Sequence, residues 1–204
     1  MIRTILRELR HHAPFTALGA VAGTLLALVL ARTTHQTAYV LFYVFHPAHV
    51  TLSAVVSTAM YRLHRPGKGS AWRAAIIGYV AAIVACTLSD SLIPYAGEFV
   101  LRLPAAHPHV GFLEEWWLVN PAALLGIGLA LIWPRTKEPH AGHLLVSTAA
   151  SLFHLLMALG PGPNLLDYLG VFVLLFVAVW IPCCLSDIAF PLLFVRTRAE
   201  APKP

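Results

Sequence analysis

Two kinds of polar grouping recur in this otherwise apolar chain. Histidines three residues apart occur twice, as His46 and His49 and again as His140 and His143. On a helix, positions i and i+3 share a face, so each pair presents two imidazoles together. Ser53 and Ser147 continue those faces one turn on. The second grouping is Cys86, Ser89 and Asp90 followed by Pro94, repeated as Cys183, Ser186 and Asp187 followed by Pro191. Cys, Ser and Asp stand at i, i+3 and i+4 and share a side of a helix. A helix-interior proline has no N–H for the carbonyl four residues earlier. Pro94 and Pro191 therefore predict broken helices with the backbone oxygens of Asp90 and Asp187 exposed.

Neutral imidazole with carboxylate or thiolate suits Zn, Mn, Fe, Co or Ni better than Mg or Ca. A histidine pair is too few ligands alone, and a neighbouring aspartate makes three. The expected metal ligands are thus His46, His49, Asp90, His140, His143 and Asp187, with Cys86, Ser89, Cys183, Ser186 and His154 as accessory candidates. His154 falls on the face of His143, and Met60 takes its place in the first half. The same groups could form a proton relay. Plainer roles are available to each. Asp suits an inter-helix hydrogen bond or a cap, Cys a small apolar packing site, and Ser a surface that lets helices approach. His140 suits the inner headgroup region, and Pro47 a kink.

The elements that position these residues are set by composition. The chain has 204 residues, 58% apolar and 11% charged, with mean hydropathy +0.74. A soluble domain is roughly a quarter charged. An all-α integral membrane protein is expected, with lipid as its surroundings. Spanning helices need about 20 apolar residues, and six stretches qualify: 14–31, 38–61, 71–95, 116–133, 140–159 and 168–195. These runs are too long and too little alternating for barrel strands. The first has the basic start of a signal peptide, but its apolar run is long and Ala31 to His35 holds no small-x-small cleavage site. It is read as a span.

With both termini cytoplasmic, only Arg32 and Arg102 of the 14 Lys and Arg lie in outer loops. That is the positive-inside pattern, and it accounts for the net charge of +5 without nucleic acid. The outer segment from Pro104 to Trp117 holds His107, His109, Glu114 and Glu115. Its plain role is an interfacial loop anchored by Trp116 and Trp117, and its other role is a metal-gathering mouth.

The paired groupings imply a duplication, residues 1–104 matched to 105–204. Each copy has three spans, an odd number, so the second runs upside down. Inverted repeats of this kind are common in transporters, with the site at the repeat interface. The two copies could form two half-sites or one central site. No P-loop, H-E-x-x-H or G-x-S-x-G motif is present, so no nucleotide cofactor is expected. The three cysteines show no disulfide framework. The leading expectation is a permease for a divalent transition-metal cation. The alternatives are an intramembrane metal-dependent hydrolase, a proton-coupled carrier of an organic solute and a structural subunit. A unit this small is open to homodimerisation.

Overall fold

The structure is a computed structural model that describes residues 2–64, 71–134, 137–160, 162–184 and 190–194. The described residues are helical, with no strand among them. Among the described residues nine α-helices follow in order: α1 (Ile2–Val29), α2 (His35–His64), α3 (Ala71–Thr87), α4 (Ile93–Leu101), α5 (Gly111–Glu114), α6 (Trp116–Ile132), α7 (Lys137–Ala158), α8 (Leu165–Cys184) and α9 (Phe190–Leu193). A five-residue π-turn, Leu88–Leu92, joins α3 to α4.

Among the described residues four helical segments are long and apolar enough to cross a membrane: His12–Val29, His35–His64, Ala71–Leu101 and Leu165–Cys183. The fourth and fifth expected spans are shorter apolar helices, Trp116–Ile132 and Gly142–Ala158. At 1.5 Å per residue, 17 residues reach about 25 Å, the lower end of what a bilayer core requires. The sixth expected span is α8 and α9, and residues 185–189 between them lie outside the described residues.

The bundle turns large apolar side chains outward and holds a polar cluster inside, beside an apolar core that includes Phe42, Leu152 and Leu175. Leu18, Leu25, Val44, Val80, Leu125 and Val173 face outward, while His46, His49, Ser53, Asp90, His143 and Ser147 are buried. Such an arrangement is stable only where the surroundings are themselves apolar. α2 lies at the centre and makes its most extensive contacts with α7, α6 and α3. Small residues permit the close approach. A Cβ on Gly126 of α6 would stand 2.2 Å from the Thr51 carbonyl of α2, and the Thr51 hydroxyl donates to the Ala122 carbonyl at 3.0 Å beside it. Arg62 donates to the carbonyls of Ala130 and Leu131 at the end of α6, where a cation also meets the negative end of the helix dipole.

The helix carrying Asp90 is not broken at Pro94, as the sequence predicts, but widened. Ile93 N–H bonds back to the Leu88 carbonyl, five residues earlier. One extra residue per turn absorbs the donor that Pro94 lacks, and the helix continues to Leu101 rather than ending near Tyr95. Widening also changes which residues face inward. Ser89, Asp90 and Ser91 are consecutive yet all fully buried. π-turns of this kind recur at functional sites. α4 then stops at Arg102, whose left-handed φ of 54° lets its N–H close on the last carbonyls of the helix. At the other connection, Asn164 and Asp167 form a reciprocal cap on α8.

Candidate functional site

Asp90 is the centre of the polar interior. Its Oδ2 lies 2.8 Å from His46 Nδ1 and 2.7 Å from His49 Nδ1. Its Oδ1 accepts from Ser89 Oγ at 2.6 Å, Ser147 Oγ at 3.4 Å and Ser151 Oγ at 3.5 Å. As a carboxylate, Asp90 can only accept. Both imidazoles then carry a proton on Nδ1, and in the neutral ring Nε2 is left as a lone pair aimed away from the acid.

For His49 that lone pair meets a group from the other half of the chain. Cys183 Sγ of α8 is 3.8 Å from His49 Nε2, and the His143 ring of α7 stands 4.4 Å from the His49 ring, tilted by 30°. His49, His143 and Cys183 are all fully buried, and their ligand atoms lie within 4.8 Å of one another. A tetrahedral ion with Zn–N near 2.0 Å and Zn–S near 2.3 Å separates such atoms by about 3.5 Å. The His49–Cys183 separation is close to that spacing. Asp90, gripping the far nitrogen of His49, has the position of the carboxylate that orients a metal-bound histidine.

The sequence-predicted residues thus divide. His46, His49, Ser89, Asp90, His143 and Cys183 come together in one cluster to which both halves of the chain contribute. Cys86 packs in an apolar cluster with Val50, Val119 and Ala123. Ser53 and Ser57 make no hydrogen bond through Oγ and serve as packing surface. Ser186 and Asp187 lie outside the described residues, as does the side chain of His140. His154 is not among the grouped ligand atoms of His49, His143 and Cys183. Its Nε2 donates to the His107 carbonyl at 3.1 Å and lies 3.5 Å from Glu98 Oε1.

Three features escape a reading of the sequence. Glu98 is fully buried inside the bundle, because α4 runs on past the expected span end. Ser151 reaches both Asp90 and the Ser89 carbonyl, the latter at 3.0 Å. Gly111 is pressed against His46, where an added Cβ would stand 2.7 Å from Nε2. The spacing of Ser147 and Ser151, one helical turn apart, was the available signal for Ser151.

A second polar group caps this interior. His109 is the hub, with ring centroids of His107, His154 and His35 at 4.5, 5.5 and 6.0 Å. Ser91 of the π-turn donates to the His109 carbonyl at 2.8 Å, tying this cap to the Asp90 turn. Glu114 Oε2 accepts from Tyr43 at 2.6 Å and lies 3.5 Å from His109 Nδ1, while its Oε1 accepts from Val110 N–H at 3.2 Å. Burial pushes the His109 imidazole down, Glu114 offsets only part of this, and neighbouring histidines add to the fall; the net shift is below the ordinary value. Burial raises Glu114, but the Tyr43 hydrogen bond, with His109 and His107, more than reverses this and holds it below the usual carboxylate range.

No family model, curated protein or solved structure matches the chain.

Proposed function

We propose that this chain is a membrane permease for a divalent transition-metal cation, with His49, His143 and Cys183 as the transient ligands of the cargo. The observation that carries the reading is the composition of that cluster. His49 comes from one half of the chain, and His143 and Cys183 come from the other, where α2 packs on α7 and α7 on α8. A site assembled across the interface of two repeats can be opened from either side by rocking one half against the other. A mixed imidazole and thiol set selects softer divalent ions such as Zn or Co over Mg and Ca. In this reading Asp90 orients His49 rather than ligating the ion. The serines that surround Asp90 hold its charge in place.

The architecture proposed with it is six spans as a 3+3 inverted repeat, residues 1–104 and 105–204, both termini cytoplasmic and the chain surrounded by lipid. The charge pattern of the loops supports it. A homodimer is compatible with a unit this small, and nothing in the charge pattern calls for nucleic acid.

A second reading has its own observation. Three protein ligands backed by an orienting carboxylate, with a fourth position left for water, is also the plan of a catalytic zinc site. Elemental analysis of tag-free protein in detergent separates the two. Metal that exchanges within minutes and washes out supports the permease. Stoichiometric zinc that survives prolonged chelation supports an intramembrane hydrolase. Absence of any metal binding contradicts both and leaves the proton-coupled carrier.

A further inference from the structure

We infer that the segment between α4 and α6 carries a second transition-metal site, formed by His107, His109 and Glu114 at the mouth of the bundle. The ligand atoms of these three residues lie within 4.8 Å of one another. A plain interfacial loop would leave its acid and histidines solvated and loosely held. Glu114 is instead fixed at both oxygens, by the Tyr43 hydroxyl and by the Val110 N–H. His109 is only 8% exposed, and its Nε2 is buried with no hydrogen-bond partner. The nitrogen that faces the acid is Nδ1, 3.5 Å from Glu114 Oε2, so imidazole and carboxylate already share one side of the site. His107 is exposed, and its Nδ1 accepts from the His109 N–H at 3.4 Å. The set thus combines one positioned carboxylate, one buried imidazole and one exposed imidazole.

Two imidazoles and one carboxylate favour Zn, Co or Ni over Mg or Ca. There is no sulfur donor, which distinguishes this site chemically from the central one. Its location suggests its use. The His109 ring is 5.5 Å from that of His154, which lies edge-on to Phe42 at 5.4 Å, and Phe42 stacks on His46 at 5.2 Å. A cation held at the mouth would be one row of rings away from the Asp90 cluster. The role as a loading site rests on the permease reading; the existence of the site does not.

Co²⁺ binding to tag-free full-length protein in detergent tests this, read by metal count and by absorption. Sulfur-to-cobalt charge transfer reports the central site, and only ligand-field bands report the mouth. Wild type is expected to bind two equivalents. The His107→Ala/His109→Ala double variant is expected to lose one and keep the charge-transfer band. Tyr43→Phe, which keeps the ring and removes only the hydroxyl on Glu114, is expected to weaken the sulfur-free site by about 10–100-fold. An unchanged Co²⁺ count and affinity in the double variant, or in Tyr43→Phe, overturns the inference. A wild type with the sulfur-free equivalent but no charge-transfer band supports the mouth site and sinks the central one instead.

Discussion

His49 and Asp90 sit 2.7 Å apart, Nδ1 to Oδ2, and that contact turns the other nitrogen of His49 toward Cys183. Asp90 comes from the first half of the chain and Cys183 from the second. The acid in one half of the chain therefore sets the direction of a donor that the other half completes. Ser147 and Ser151, also from the second half, donate to the same acid. The cluster is cross-braced, so that moving one half against the other must change the donor set.

Asp90→Asn tests the orienting role. The amide can accept through its oxygen, but it adds an N–H₂ donor facing donors and no longer carries charge. Central-site affinity for Co²⁺ or Zn²⁺ is expected to fall by about 10–100-fold, the range for loss of a carboxylate behind a metal-bound histidine. Titration with the charge-transfer band as readout measures it. An unchanged affinity means that Asp90 does not act through His49.

Cys183 gives a pH dependence whose sign is fixed. Metal binding to a protonated thiol expels its proton, so affinity rises with pH by about tenfold per unit while the thiol is protonated in the apo state. Acidification weakens binding by the same factor. Cys183→Ser removes both the charge-transfer band and this slope above neutral pH. A slope that persists in the variant assigns the proton to another group.

Gly111 and Gly128 form a matched pair. At Gly111 a Cβ would stand 2.6 Å from the His46 ring, whereas at Gly128 it would meet nothing within 4 Å. Gly111→Ala must displace the imidazole or the start of α5, and overpacking of this kind costs about 1–3 kcal/mol. Gly128→Ala lies on the open side of α6 and is expected to stabilise that helix by about 0.5–1 kcal/mol. Thermal unfolding in detergent compares them. Equal midpoints would mean that α5 does not press on His46.

How much of this was legible in the sequence follows from which forces act locally. The shared face of His46 and His49 was legible because helical spacing places i and i+3 together, whereas the burial of that face was not. Asp90 stood out because an acid is expensive inside an apolar run. The π-turn was not legible, since Pro94 removes a donor without saying whether the helix will break or widen. With the widening went the inward turn of Ser91 and the burial of Glu98. His154 shares a helix face with His143 but lies three turns away, and that distance carries it to Glu98 and the mouth. The convergence of His49, His143 and Cys183 depends on the packing of α2 against α7 and of α7 against α8, which no local pattern encodes.

Flux through the purified protein in sealed liposomes tests the central claim most directly. Zn²⁺ or Co²⁺ is added outside, a chelating fluorophore inside reports arrival, and Mg²⁺ serves as the comparison cation. The account expects saturable Zn²⁺ and Co²⁺ uptake, little Mg²⁺ uptake, and loss of uptake in His143→Ala with the helical fold retained. Wild-type protein that moves neither Zn²⁺ nor Co²⁺, or a His143→Ala variant that moves them as fast as wild type, would contradict it.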